Sequence, residues 1–225
     1  MMAQANSFSV VVPTLNEAAC IAALCRSLSA DGFEDLIVVD GGSSDDTVAI
    51  ARQAGATVLE TPPGRGNQLN AGARLARGEV LLFLHADTLL PPDAPEAMDL
   101  ALCDAAVVAG CFRLRFAEGG GLLGLYAWFS RFDTRFSTFG DQGFFMRRAA
   151  FDQAGGFPAQ PLMEDVDMRR RLRRIGRFVK LATSVTTSAR RFARDGVLRR
   201  QLANGVLLLC HALGVAPERL ARWYG

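Results

Sequence analysis

Two stretches decide how this chain folds: IVVDGGSSDD, Ile37–Asp46, and LLFLHADTLLPPDA, Leu81–Ala94. Each is a short apolar run that delivers a carboxylate, Asp40 or Asp87, to its C-terminal end. Apolar runs of this length, bounded by turn residues, read as strands buried on both faces. Two such strands ending in acids at one edge of a sheet make a place for a metal ion and a phosphate-bearing ligand.

Outward from these stretches the pattern alternates. Phe8–Val12 reads as a strand stopped by Pro13. Asn16 caps a helix through Ser29, with Ile21, Leu24, Cys25 and Leu28 on one face. Leu36–Asp40 is the second strand, Gly41–Ser44 a turn, and Asp45 or Asp46 the cap of a helix over Thr47–Ala54. Thr57–Glu60 and Glu79–Leu84 are strands, separated by a loop at Pro62–Gly66 and a helix at Asn67–Ala76. A further helix starts at Pro91 and reaches about Leu102. This alternation predicts an α/β fold with a mostly parallel central sheet, helices on both faces, and ligands beyond the carboxyl ends of the strands.

From about Val107 the pattern changes. CFRLRF alternates like a strand, Leu122–Phe132 is an apolar helix, Gly140–Arg147 another strand, and Met163–Ile175 a helix. Ten of the fifteen phenylalanines fall between Phe112 and Phe157, which suits either core packing or an apolar acceptor groove. There is no repeat and no clear linker. A single domain is expected, with a nucleotide-binding half over about 1–104, an acceptor half over about 105–190 and a helical tail over about 191–225.

The 225 residues are half hydrophobic and 21% charged, which excludes a disordered chain. A net charge of +2 argues against a general nucleic-acid binder. The arginines are clustered, at Arg169–Arg174 and at Arg190–Arg200, either as solvated helix faces or as contacts for phosphates or an anionic membrane. Five cysteines without CxxC or zinc spacing suit a reducing cytosol. No leader or membrane-spanning run is evident, so a cytoplasmic protein is expected. Leu122, Leu123, Leu125, Tyr126, Trp128 and Phe129, with the later basic cluster, form either core or a peripheral membrane-contact surface.

Five short segments can carry chemistry. Around Pro13, Thr14, Asn16 and Glu17, a strand end before a helix N-terminus can hold a base or ribose. Asp40 can accept from ribose hydroxyls or a base N–H, and is equally suited to organise its own turn. Arg65, flanked by Gly64 and Gly66, can reach a phosphate. Asp87 suits a hard cation such as Mg²⁺, and His85 lies on the same side of an extended chain as a second ligand or a packed histidine. Glu164 and Asp165 open a helix, as first-turn acids favoured by the dipole or as a general base. Neither GxGxxG nor GxxxxGK[ST] occurs, which argues against a nicotinamide dehydrogenase and a P-loop NTPase.

Taken in order, PTLNE, VVDGGSSDDT, GRGNQLNAG, LFLHADT, GDQGFFMRR and GGFP…MEDVDMRRRL resemble family-2 glycosyltransferases of the GT-A fold. More narrowly, the chain is similar to the short bacterial group labelled rSAM/selenodomain-associated or arsenosugar-biosynthesis glycosyltransferases. The resemblance implies a nucleotide pocket lined by Pro13, Thr14, Asn16, Glu17 and Asp40 and closed by Arg65. It makes Asp87 the last acid of the DxD motif and Asp165 of the Glu164–Asp165 pair the catalytic base. Asp141 and Gln142 would contact donor sugar or acceptor, and Arg190 and Arg191 the diphosphate. Two departures stand out: the paired acids of VDDGS are here Asp40–Gly41, and DxD is His85-Ala86-Asp87. The implied activity is a Mg²⁺- or Mn²⁺-dependent, inverting transfer from a nucleoside-diphosphate sugar, UDP-linked by resemblance, to a small-molecule or lipid acceptor hydroxyl. The alternatives are a nucleotidyltransferase on a similar sheet and a noncatalytic nucleotide-sugar-binding protein.

Overall fold

The computed structural model describes residues 6–117, 121–134, 138–188 and 197–224. Four parallel strands lead: β1 (Phe8–Thr14), β2 (Asp35–Asp40), β3 (Thr57–Glu60) and β4 (Val80–Phe83). The second half adds β5 (Thr88–Leu89), β6 (Val107–Phe116), β7 (Phe144–Arg147) and β8 (Arg177–Thr187). Among the described residues these make one eight-stranded sheet in the order β3-β2-β1-β4-β7-β6-β8-β5. The sheet is mixed, because β7 runs antiparallel to both β4 and β6, and β5 antiparallel to β8. In register, Thr14 lies opposite Asp40, so the C-terminal ends of β1 and β2 are level.

Alternation along β1 sorts the core into two layers. Val10 and Val12 face one side, packing with Ile21, Leu24, Cys25 and Leu28 of helix α1 (Ala18–Ala30). Ala51 of α2 (Thr47–Gln53) and Met98 and Leu102 of α4 (Ala94–Leu102) join the same layer. Val11 faces the other side with Leu69 and Ala73 of α3 (Arg65–Leu75), Phe151 of α6 (Arg148–Ala154), and Met168 and Leu172 of α7 (Glu164–Ile175). Val10, Val11 and Val12 are all fully buried, as a strand covered by helices on both faces requires. Helix α3 approaches unusually closely at Gly72, where an added Cβ would collide with Val11 and Val39.

Several boundaries shift from the sequence reading. Helix α3 begins at Arg65, so this arginine opens a helix instead of sitting in a loop. Gly140–Gln142 forms a 3₁₀ turn, and the strand starts only at Phe144. Asn16 provides no side-chain cap to α1: Glu17 holds the cap position, and Asn16, left-handed with φ of 55°, turns its Oδ1 to Ser44 N–H. The expected apolar face of α5 (Gly121–Phe129) divides: Leu123 is buried, while Leu125, Trp128 and Phe129 are exposed. Two further helices follow, α8 (Val197–Ala212) and α9 (Pro217–Tyr224). Among the described residues, no helix is long and apolar enough to cross a membrane.

Candidate active site

The C-terminal ends of the parallel strands carry the site, built from two joined parts. The first is the loop pair after β1 and β2. Asp40 is 1% exposed and uses both oxygens within the protein. Its Oδ2 accepts from Gly42 N–H at 2.9 Å and Ser43 N–H at 2.7 Å. Its Oδ1 accepts from Ser43 Oγ at 2.5 Å and Thr14 Oγ1 at 3.1 Å. Burial alone would raise its pKa, but these bonds prevail and hold it below the usual carboxylate value. The adjoining loop is laced to this turn: Asn16 N–H donates to Ser43 Oγ, and Asn16 Oδ1 accepts from Ser44 N–H, each at 2.8 Å. Glu17 N–H donates to Thr47 Oγ1, and Asp45 accepts from Thr47 N–H and Ala18 N–H. Beneath both loops lies Gln68 of α3, which the sequence reading passed over. It is 5% exposed, and its Nε2 donates to Thr14 O at 3.0 Å and Val39 O at 2.8 Å.

The second part is a cleft where Pro13, Arg65, His85, Gly140 and Asp165 meet. Arg65 is its hub. Its Nε lies 3.1 Å from Glu164 Oε1 as an ion pair whose N–H is not aligned as a hydrogen bond. Its Nη2 lies 2.6 Å from His85 Nε2. A guanidinium only donates, so in this contact His85 Nε2 is placed as the acceptor. Asp165 is held by two backbone groups, Gly140 N–H on Oδ2 at 2.6 Å and Val166 N–H on Oδ1 at 2.8 Å. A Cβ at position 140 would displace the Arg65 guanidinium from its place. Met163, which precedes α7, takes a left-handed backbone with φ of 65°. Such a conformation is costly for a long side chain, and in this chain it aims the first turn of α7 at the cleft.

Four carboxylates, Asp87, Asp141, Glu164 and Asp165, act electrostatically on Arg65. Desolvation would lower the arginine's pKa, but these acids together raise it, so it stays charged. Burial, with Asp165 and Asp87 adding to it against Arg65 and Lys180, pushes Asp141 up to about 7. Burial also raises Glu164, opposed by Arg65 and assisted by Asp165. Asp141 Oδ1 is buried with no hydrogen-bond partner among the described residues. An excess of acids over cations of this kind accommodates a hard divalent ion. Among the described residues no cluster of three or more His, Cys, Asp or Glu side chains is arranged to ligate a metal. An ion here would therefore take one or two carboxylates, with ligand oxygens and water completing its shell, as Mg²⁺ commonly does.

Not every expected residue converges on this cleft. Asn16, Glu17 and Asp40 belong to the adjoining loop pair. Gln142 is fully buried, and its Oε1 accepts from Lys180 Nζ at 2.8 Å. His85 does reach the cleft, with its Nε2 against Arg65 Nη2. Arg190 and Arg191 lie outside the described residues.

Residues 9–155 match the model of glycosyl transferase family 2. A PGL/p-HBAD biosynthesis glycosyltransferase of Mycobacterium tuberculosis is 39% identical over 95 residues, 38% of this chain and 37% of the relative. The glucosyl-3-phosphoglycerate synthase of the same organism is 38% identical over 98 residues, 38% of this chain and 30% of that protein. The matched segment thus spans only about a third of the length of these curated relatives. Among solved structures, the mannosyltransferase PcManGT of Pyrobaculum calidifontis, in complex with GDP-Man and Mn²⁺, superposes with a TM-score of 0.71. It shares 23% identity, over 96% of this chain and 67% of that one. The M. tuberculosis glucosyl-3-phosphoglycerate synthase with Mg²⁺ and UDP gives 0.64 at 22% identity, over 93% and 80% of the two chains. These likenesses establish the GT-A fold. With the family match across most of the sheet, they place the chain in glycosyl transferase family 2.

Proposed function

We propose that the chain transfers a sugar from a nucleoside-diphosphate sugar to an acceptor hydroxyl, with a divalent cation and with inversion. The observation that carries this reading is the meeting of Arg65, His85 and Asp165 in one cleft beyond the strand ends, within the field of Asp87 and Asp141. A nucleoside diphosphate is itself an anion, and among the described residues four carboxylates act on Arg65 there. A bound cation resolves that conflict: Mg²⁺ or Mn²⁺ on Asp87 would neutralise the leaving diphosphate. The complexes of the neighbours with Mn²⁺ or Mg²⁺ support this cofactor.

The residues divide the remaining work. Asp40 and Gln68 set the shape of the paired loops that receive the nucleotide, with Pro13, Thr14, Asn16 and Glu17 on their rim. Arg65, oriented by Glu164, contacts the diphosphate, which assigns Glu164 to positioning and not to proton transfer. Asp165, fixed by Gly140 and Val166, accepts the proton of the acceptor hydroxyl. The acceptor oxygen bonds to the anomeric carbon as the bond to the diphosphate breaks, and the nucleoside diphosphate leaves. One displacement gives one inversion. UDP is the carrier we favour, from the relatives that bind it.

Asp165→Asn tests the assignment. Loss of a general base lowers rate by about 10²–10⁴-fold. We expect transfer, and slow donor hydrolysis, to fall by that factor while donor binding stays within about threefold. Equal loss of binding and transfer would remove Asp165 from the role of base.

A further inference from the structure

A second cavity, of about 600 Å³, opens between α7 and the C-terminal helices α8 and α9, and its wall is strongly basic. Arg169, Arg170, Arg173 and Arg174 line it from α7, His211 lines it from α8, and Asp167 is the one acid among its described lining residues. The pairings do not use up this charge. Asp133 is shared by Arg169 at 2.6 Å and Arg173 at 2.9 Å, while Asp167 is shared by Arg170 at 3.8 Å and His211 at 3.3 Å. Two carboxylates thus serve three arginines and a histidine. The innermost of these, Arg169, has a side chain 8% exposed, and its buried Nε has no hydrogen-bond partner among the described residues. A buried guanidinium N–H without an acceptor is an expensive arrangement that a ligand oxygen would relieve.

The cavity adjoins the cleft described above. Val166 and Thr138 line the cavity, while their near neighbours Asp165 and Gly140 line the cleft. Along α7, Arg169 is one turn from Asp165 and Arg173 two, or about 6 and 12 Å at the helical rise. We infer that this cavity seats the phosphate or carboxylate of an anionic acceptor, whose hydroxyl reaches Asp165. The inference rests on the transferase reading and adds the chemical class of its acceptor. Guanidinium groups set along one helix suit oxyanions, which they can grip with paired N–H bonds. The carrier of the anion is either soluble or lipid. Leu202, Val206 and Leu209 on α8, with Leu213 just past its end, form an exposed apolar stripe near the cavity, where a lipid tail could lie.

The test is anion binding by the full chain and by the double variant Arg170→Gln/Arg174→Gln. Arg170 is 69% exposed at its side chain, so folding is preserved. The soluble probe is glycerol 3-phosphate, and the lipid probe is phosphatidylcholine vesicles bearing phosphatidic acid. We expect one of the two to bind the parent and to weaken about tenfold or more in the variant, with UDP·Mn²⁺ affinity unchanged. Binding of the soluble probe assigns a soluble acceptor, and binding only on vesicles assigns a lipid phosphate. No binding of either probe, or equal binding by parent and variant, overturns the inference. If the anion binds in this arginine-dependent way but UDP does not bind with any metal, the transferase reading fails instead and the anion site stands.

Discussion

Replacing Arg65 by methionine probes the hub of the site, and its effect can be bounded before measurement. The substitution leaves Glu164, 4% exposed at its side chain, beside Asp165 without its cation. Breaking a buried ion pair at one partner typically costs about 3–5 kcal/mol. Here Arg65 keeps 35% of its side chain in solvent, so screening reduces that figure to about 2–3 kcal/mol. Protonation sets a ceiling, because a stranded glutamate can always take up a proton. Against an unfolded value near 4.3, that costs at most ~1.36 kcal/mol per pH unit, or about 4 at pH 7.5 and 1.6 at pH 5.5. The sign follows from the direction of the shift. Burial raises Glu164 in the parent, and losing Arg65 raises it further, so the penalty is present at high pH and fades as pH falls through the raised value. Urea unfolding followed by circular dichroism should show a deficit of about 2–3 kcal/mol at pH 7.5, a fall in Tm of roughly 4–10 °C, and less than about 1.6 kcal/mol at pH 5.5. A variant as stable as the parent at pH 7.5, or one whose deficit grows on acidification, would refute the picture of Arg65 as the counter-ion of a buried acid.

Other outcomes follow from the same geometry. Asp40→Asn exchanges a carboxylate with four donors for an amide that cannot satisfy them all, and should cost about 1–3 kcal/mol at pH 7. Because the folded pKa of Asp40 is lowered, that difference should be full above the unfolded value of about 4 and shrink as pH falls below it, and a deficit that grows on acidification below about 4 would contradict it. Gly72→Ala should destabilise by about 1–3 kcal/mol through its clash with Val11 and Val39, and unchanged urea unfolding would show that the helix can back away from the sheet. At pH 8 a maleimide should label the exposed Cys103 in the native protein. Cys111, whose thiol is pushed up to about 12 by burial, should react only after denaturation, as should the buried Cys25. Native labelling of Cys111 at the rate of Cys103 would mean an open core.

The first half of the fold was legible because its strands are apolar runs ended by turn residues, and its helices show a clear 3.6-residue period. The acids were legible for the same reason: an apolar run that stops at Asp40 or Asp87 puts a charge at a strand end. What could not be read depends on contacts between distant parts of the chain. Strand β8 mixes Arg, Lys, Ser and Thr, so it carries no strand-like alternation, and its place is settled by pairing with β6. Gln68 reads as a polar residue in a polar helix, and only the ends of β1 and β2 above it reveal its two buried bonds. The arginines of α7 read equally as a solvated face or an anion site. The structure separates them: Arg171 donates to Ala154 O and Gly156 O, while Arg169, Arg170, Arg173 and Arg174 line a cavity. The direct phosphate-binding pair expected at Arg190 and Arg191 falls outside the described residues, so Arg65 is the arginine at the cleft to which the geometry speaks.

The central claim is that the acids beyond the strand ends bind a nucleoside diphosphate through a divalent cation. Calorimetric titration of UDP and of GDP, each with and without Mn²⁺, into the parent and Asp87→Ala tests it most directly. We expect one nucleotide to bind, only with the metal present and not in the variant. Binding that is indifferent to Mn²⁺ and unchanged in Asp87→Ala would contradict it.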